Sequence, residues 1–209
     1  IMILFLTVID IIGRVNPHLA SQTFGILIGD SHINVVYLAV CIVFIIAAST
    51  DALDGYLARK NNQVTNLGKF LDPVADKLLI NTIVIFLTAP FMFAPYNVEQ
   101  TVCFNIWCAI LLVARDIVVD ALRFIAAQKG TVIAANIFGK AKTVLEMVAI
   151  VAVLLNDFPF SYFDAGWPVG LRISDILVYL ATAVSVISGV IYIVQNRAAL
   201  KEDNIKENN

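Results

Sequence analysis

Residues 176–194 of this chain form an unbroken apolar segment that contains no charged side chain. About 20 mostly apolar residues are needed for a helix to cross the hydrocarbon core of a bilayer. A backbone in lipid must also satisfy its hydrogen bonds within its own segment, which an α-helix does. The segment therefore predicts a transmembrane helix and limits the chain to the folds that a membrane allows.

Five other apolar segments show the same character, although some contain ionisable residues. They cover residues 1–12, 33–48, 78–95, 104–127 and 142–155. Only 14% of the residues are charged, whereas about a quarter are charged in a soluble domain. We predict an all-α integral membrane protein with six transmembrane helices in a single domain, residues 1–200, followed by a polar tail, residues 201–209. Because Ile1 already lies in apolar sequence, we expect the first helix to be truncated.

Lysine and arginine are distributed unevenly between the connections of these segments. The connections after the second and fourth segments and the tail after the sixth, with their edges, carry most of the cations: Arg59, Lys60, Lys69, Lys77, Lys129, Lys140, Lys142, Arg197, Lys201 and Lys206. The opposite connections carry only Arg14 and Arg172. Because cytoplasmic loops hold the excess of Lys and Arg, both termini are predicted to be cytoplasmic.

Four aspartates lie in and around the connection between the second and third segments. Asp51 and Asp54 are three residues apart and Asp72 and Asp76 four apart, so each pair lies on one helix face. The polar residues 61–66 can form a short loop that folds the two helices antiparallel and brings the pairs together. Carboxylates so close to lipid repel one another, and a hard divalent cation such as Mg²⁺ relieves this repulsion. We predict a metal site on the cytoplasmic side, and the lack of nearby His or Cys argues against zinc.

Each aspartate taken alone also has an ordinary explanation. Asp72 followed by Pro73 is a common helix start, with an N-cap residue before a proline in the first helical position. Asp51 and Asp54 could be solvated residues at the end of a helix. These explanations do not account for the four aspartates as a set.

The aspartates occur at fixed spacings with small and basic residues: Asp51-x2-Asp54-Gly55-x2-Ala58-Arg59-x8-Gly68-x3-Asp72-x3-Asp76. This pattern is similar to the signature of the CDP-alcohol phosphotransferases, integral membrane enzymes that make phospholipids. The resemblance implies that Asp51, Asp54 and Asp72 hold two divalent ions, Mg²⁺ or Mn²⁺. It implies that Asp76 completes the metal site and is the catalytic base. It also implies a CDP-binding pocket formed by Asp51, Gly55, Ala58, Arg59 and Gly68.

A second group of ionisable residues follows in the fourth segment and the start of the fifth. The sequence around it, from Ala114-Arg115-Asp116 to Gly139-Lys140-Ala-Lys142-Thr143, resembles bacterial members of the same family. Those enzymes transfer a phosphatidyl group from CDP-diacylglycerol to sn-glycerol 3-phosphate and release CMP. The resemblance implies that the acceptor's phosphate is held by Arg115, Arg123, Lys140 and Lys142. An alternative is an internal ion-pair network that holds the helices together. No role follows from the sequence for Asp116, Asp120 and Glu146.

The resemblance also implies a homodimer in the bacterial cell membrane, with the active site facing the cytoplasm. CDP-diacylglycerol, glycerol 3-phosphate and membrane lipid are the expected partners, and no nucleic acid is expected. The same chemistry on another acceptor, giving cardiolipin, phosphatidylinositol phosphate or phosphatidylserine, remains an alternative, although many cations favour an acceptor that carries phosphate. A divalent-cation transporter is a more distant alternative, because such sites usually lie near the membrane midplane at broken helices.

Overall fold

The structure is a computed structural model that describes residues 2–15, 23–28, 31–61, 66–88, 102–128, 137–164, 166–168 and 170–195. In these ranges the chain is mostly helical, as predicted. The α-helices are α1 (Met2–Val15), α2 (Val35–Lys60), α3 (Asn66–Thr88), α4 (Ile106–Gln128), α5 (Ile137–Leu154) and α6 (Ile173–Gln195). A short 3-10 helix, Phe160–Tyr162, lies between α5 and α6.

Two of the described segments are long and apolar enough to cross a membrane. They are Val35–Leu57, which forms most of α2, and Ile173–Gln195, which is the whole of α6. Large apolar side chains also lie on the outside of the helices, including Trp107 at 71% and Ile117 at 62% exposure. Because large apolar surfaces rarely remain exposed to water, these features indicate that the protein associates with a membrane.

A β-hairpin between α1 and α2 departs from the all-α prediction. Strand β1 (Thr23–Ile28) pairs antiparallel with β2 (Ser31–Asn34), with Phe24 opposite Ile33. The missed signal was Gly29-Asp30, a dipeptide typical of two-residue hairpin loops, which separates the strands in the sequence. The all-α prediction was wrong here because residues 13–32, between the first two apolar segments, were treated only as a connection.

Helices α2 and α3 extend beyond the apolar segments that predicted them. α2 continues past Ala48 to Lys60, and α3 begins at Asn66 rather than near Leu78. Asp72 is therefore inside α3, and the interpretation of Asp72 and Pro73 as a helix start was wrong. Hydropathy locates the part of a helix that is suited to lipid, whereas helix-forming residues such as Ala, Leu, Lys and Arg extend it into polar sequence.

The core lies where α2, α3, α4 and α5 meet, and it consists of fully buried apolar side chains, among them Val40, Phe44, Ile83, Leu112 and Ile150. α6 packs against both α4 and α5. Asparagine N-caps set the starts of two helices: Asn34 Oδ1 accepts from the Val36 amide at 2.8 Å before α2, and Asn105 Oδ1 accepts from the Trp107 amide at 2.9 Å before α4. These contacts fix where α2 and α4 begin.

Three aspartates determine the start of α6. Asp164 accepts a hydrogen bond from the Ile173 amide at 2.9 Å, and Asp157 accepts one from the Ser174 amide at 3.0 Å. Asp175 accepts from the Arg172 amide at 3.2 Å. The first amides of a helix have no intrahelical partner, and carboxylates near them also interact favourably with the helix dipole. Burial raises the pKa of Asp157 to about 6, even though its hydrogen bonds from Ser174 act in the opposite direction.

Candidate active site

The helical hairpin formed by α2 and α3 places the four aspartates at two matching levels. α2 ends at Lys60, α3 begins at Asn66, and the two helices contact each other. At a rise of 1.5 Å per residue, Asp54 and Asp72 each lie about 9 Å along the helix axis from the connection. Asp51 and Asp76 each lie about 14 Å from it by the same measure. The two pairs of aspartates therefore lie at matching distances from the short connection predicted from the sequence.

The described side chains of this hairpin are accessible. Asp54 and Asp76 are exposed, and Asp51 and Gly55 are half-buried. The side chains of the remaining signature residues lie outside the described part of the chain, although their backbones are helical: Ala58, Arg59, Gly68 and Asp72. The predicted roles of these four residues remain predictions.

The donors that this hairpin offers to a cation are carboxylate oxygens. Among the side chains that the structure describes, no group of three or more Asp, Glu, His or Cys lies close enough to hold a metal ion. The described side chains do not include that of Asp72, which lies at the same level along the hairpin as Asp54. Four carboxylates on two adjacent helices fit Mg²⁺ or Mn²⁺ by donor type, since hard cations prefer oxygen ligands.

An ion pair joins this hairpin to α4. The Lys77 ammonium group, on the residue that follows Asp76, contacts the carboxylate of Asp120. Both side chains are partly exposed, at 29% and 42%. The contact gives Asp120 a role that the sequence did not reveal, which is to hold α4 beside α3 near the signature aspartates.

A buried ion cluster connects α4 to α5. Lys142 donates to both carboxylate oxygens of Asp116 at 2.8 Å, and its ammonium nitrogen lies 2.8 Å from a carboxylate oxygen of Glu146. The exposed fractions are 4% for Lys142, 5% for Asp116 and 0% for Glu146. Buried charges are tolerated when they are paired, and this cluster pairs one lysine with two carboxylates.

Arg115 extends the ion cluster to α6. Its Nη1 donates to Asp116 at 2.9 Å, its Nε to the Ser185 carbonyl at 3.1 Å, and its Nη2 to the Ser188 hydroxyl at 3.0 Å. The backbone of α6 comes close because Gly189 lacks a side chain: a Cβ there would lie 2.9 Å from Cγ of Arg115. We call these four residues, Arg115, Asp116, Lys142 and Glu146, the ion cluster.

The two positive and two negative charges of the ion cluster balance. Besides their pairs within their own helices, Arg115 contacts α6 and Lys142 contacts α4, so both join helices as in the ion-pair alternative drawn from the sequence. Their predicted contact with an acceptor phosphate remains a prediction.

Arg123 has a different environment from Arg115 and Lys142. Its side chain is exposed, and its Nε donates to the Tyr192 hydroxyl of α6 at 3.3 Å. The guanidinium carbon lies 5.4 Å from the centre of the Tyr192 ring. Among the described residues, Arg123 makes no ion pair with a carboxylate. Lys140, the fourth predicted cation, lies on α5, and its side chain is outside the described residues.

Sequence reasoning missed Tyr192 and Lys77. One tyrosine in an apolar helix does not by itself indicate a functional site. Lys77 was used only as one of the cations that indicate membrane topology. The spacing of the small residues Ser185, Ser188 and Gly189 was the available signal for the approach of α6, because small residues let membrane helices pack closely.

Comparison with known proteins identifies the family of this chain. The family profile of CDP-alcohol phosphatidyltransferases matches residues 5–187, which include the helical hairpin and the ion cluster. The chain is 41% identical over 177 residues to the CDP-diacylglycerol–glycerol-3-phosphate 3-phosphatidyltransferase of Bacillus subtilis (strain 168), covering 85% of this chain and 83% of that protein. The protein of the same name from Mycoplasma pneumoniae is 38% identical over 176 residues, covering 81% of this chain and 71% of its own length. The chain therefore belongs to the CDP-alcohol phosphatidyltransferase family.

Proposed function

We propose that this protein transfers the phosphatidyl group of CDP-diacylglycerol to sn-glycerol 3-phosphate, forming phosphatidylglycerophosphate and CMP in phospholipid biosynthesis. The observation that carries the proposal is the α2–α3 hairpin, which sets the four signature aspartates at matching levels in a member of this family. The relatives named above are called after this reaction, and the first is 41% identical to the chain.

The donor substrate is assigned to the hairpin. Asp51, Asp54, Asp72 and Asp76 would hold two divalent ions, Mg²⁺ or Mn²⁺, which when bound would neutralise the charge of the pyrophosphate and of the departing CMP. Gly55, Ala58 and Gly68 leave space for the nucleotide because their side chains are minimal. Arg59 offers a planar set of donors to phosphate oxygens.

The proton of the acceptor is assigned to Asp76. As the glycerol 3-phosphate hydroxyl oxygen forms a bond to the phosphorus that carries diacylglycerol, the bond from that phosphorus to the CMP oxygen breaks. The hydroxyl proton passes to the Asp76 carboxylate, which is exposed and therefore accessible to a substrate. Positioning and charge stabilisation supply most of the catalysis in phosphoryl transfers of this kind.

The acceptor's phosphate is assigned first to Arg123 and Lys140. Arg123 is exposed and, among the described residues, is not neutralised by a carboxylate. Arg115 and Lys142, which the sequence placed in the same pocket, have their charges balanced by Asp116 and Glu146. We assign these two a supporting role beneath the pocket.

The membrane arrangement follows from the charge distribution. We infer six membrane helices, with both termini and the connection between α2 and α3 on the cytoplasmic side of the bacterial cell membrane. The diacylglycerol chains then remain in lipid while the nucleotide and the acceptor enter from the cytoplasm. A homodimer is expected from the family resemblance.

The test is CMP release by the purified protein in detergent, with Mg²⁺ and CDP-diacylglycerol. Glycerol 3-phosphate, phosphatidylglycerol, inositol phosphate and serine are compared as acceptors. Release only with glycerol 3-phosphate is expected. Release with another of these acceptors instead would overturn the acceptor assignment, and no release with any acceptor would overturn the proposed reaction.

A further inference from the structure

We propose that Tyr192 of α6 is a positioning residue, which orients the guanidinium group of Arg123 towards the phosphate monoester of the acceptor without neutralising its charge. The inference rests on the proposed function and deepens it by separating the cations that hold helices together from the cation that is kept for substrate.

Tyr192 is a rigid support for a side chain that would otherwise be mobile. Its ring is buried, with 4% exposure, whereas Arg123 is exposed. The hydroxyl accepts from Nε at 3.3 Å, and the guanidinium carbon lies 5.4 Å from the ring centre, within the range of a cation–π contact. An arginine that is already held in place loses less conformational entropy when it binds a ligand.

The chemistry of the partner distinguishes this arginine from Arg115. Arg115 donates to the carboxylate of Asp116, which cancels its charge locally. The partner of Arg123 is a phenol, which accepts a hydrogen bond but carries no charge. Both Nη groups of Arg123, which make no hydrogen bond to the described residues, can form the paired hydrogen bonds that phosphate oxygens accept.

The position of Arg123 relative to the signature aspartates also agrees with a role in binding the acceptor's phosphate. The ion pair between Lys77 and Asp120 defines where α4 crosses α3. Arg123 is three residues after Asp120, so it lies about 4.5 Å nearer to the C-terminal end of α4. This is the end of α4 that lies beside the start of α3. The end of α3 lies beside the start of α4, where the Phe104 amide donates to the Leu87 carbonyl at 3.1 Å, so the two helices run in opposite directions and this level falls between Asp72 and Asp76. An acceptor with its phosphate on Arg123 would therefore lie at the level of the proposed base.

The first part of the test measures steady-state CMP release in detergent while glycerol 3-phosphate and CDP-diacylglycerol are varied in turn. Tyr192→Phe keeps the ring and removes the hydrogen-bond acceptor. We expect its KM for glycerol 3-phosphate to rise about threefold to tenfold, with kcat and the KM for CDP-diacylglycerol within about twofold of the unmodified values. The matched control is Tyr179→Phe on the same helix, where the side chain is 39% exposed, and it should change none of these constants.

The second part is a double-mutant cycle with Arg123→Ala, which should raise the KM for glycerol 3-phosphate about a hundredfold. If Tyr192 acts through Arg123, adding Tyr192→Phe to Arg123→Ala produces no further loss, because the residue that it orients is gone. A tyrosine with a purely structural role would produce additive losses. Additive losses, or equal increases in KM for both substrates, would overturn the positioning role.

The two proposals fail in different ways. An unmodified protein that releases no CMP with glycerol 3-phosphate would overturn the proposed function itself. An active unmodified protein with an additive cycle would overturn only the role of Tyr192. Because Phe retains the buried ring, the Tyr192→Phe protein should unfold at the same temperature as the unmodified protein, and its kinetic constants then report on the hydroxyl alone.

Discussion

Lys142 of α5 binds both carboxylate oxygens of Asp116 on α4 at 2.8 Å, in a position where neither residue is more than 5% exposed. A bidentate contact of this kind fixes the rotation of α5 relative to α4. Glu146 and Arg115 bring the total charge to zero, so the ion cluster joins α4, α5 and α6 without leaving a net buried charge. We infer that it maintains the shape of the acceptor side of the site.

Removing one member of the ion cluster should destabilise the fold. Asp116→Ala leaves Lys142 with Glu146 alone and removes the carboxylate contact of Arg115, so we expect a loss of about 3–5 kcal/mol. Thermal unfolding of the purified protein in detergent measures it. The control is Asp54→Asn, an exposed carboxylate on the hairpin, which should leave the unfolding temperature nearly unchanged. An Asp116→Ala protein as stable as the unmodified one would show that the cluster is not a structural link.

The approach of α6 to Arg115 depends on Gly189. Gly189→Ala would place a Cβ 2.9 Å from Cγ of Arg115, a position too close for a normal contact. The arginine has to shift away from Ser185 and Ser188, and we expect a loss of about 1–3 kcal/mol in unfolding free energy.

Gly139→Ala in α5 is the matched control for Gly189→Ala. A Cβ at Gly139 meets no atom of the described residues within 4 Å, so this change should be neutral or stabilising by up to about 1 kcal/mol. Equal effects of the two substitutions on the unfolding temperature would contradict the packing argument.

Asp76 should be needed for turnover rather than for donor binding. Asp76→Asn removes the proposed proton acceptor but keeps an oxygen donor, so we expect CMP release to fall at least about a hundredfold. Binding of CDP-diacylglycerol, measured by equilibrium titration in the presence of Mg²⁺, should be largely retained. Asp120→Asn is the comparison, since it breaks only the pair with Lys77 and should retain most of the turnover. An active Asp76→Asn protein would remove Asp76 as the base.

Stability should depend on pH through Asp157, which lies in the connection between α5 and α6. Burial raises its pKa from 3.8 to about 6, so the folded protein holds this proton more tightly than the unfolded chain does. The contribution of this group to stability is therefore complete below about pH 4 and is lost as the pH rises through about 6. We expect the unfolding temperature to fall between about pH 4 and pH 6.

Asp157→Asn tests this prediction. The asparagine oxygen can still accept from Ser174, and its amide group can donate to Asp164 where the aspartic acid would use its proton. The unfolding temperature of this variant should vary less over the same pH range and exceed that of the unmodified protein at about pH 8. Identical pH profiles for the two proteins would assign the pH dependence to another group.

The sequence by itself determined the class of protein and the residues of its hairpin. Apolar segments of membrane-spanning length predict helices because lipid offers no other partner for backbone groups, and α6 agrees closely with the segment 176–194. The resemblance of the pattern from Asp51 to Asp76 to a known signature indicated the family, because such a signature is read directly from the sequence. Hydropathy could not locate the true ends of α2 and α3 or the β-hairpin, because helix propensity and strand pairing decide those features.

Only the tertiary structure decided which of the described cations of α4 and α5 are paired with carboxylates and which one is not. Arg115, Arg123 and Lys142 look equivalent in the sequence, as cations in two consecutive apolar segments. They are distinguished by partners far away in the chain: Ser185 and Ser188 on α6 for Arg115, Tyr192 on α6 for Arg123, and Asp116 on α4 for Lys142. Such contacts depend on how α6 packs against α4, which is set by side-chain shape over the whole interface and not by any local pattern.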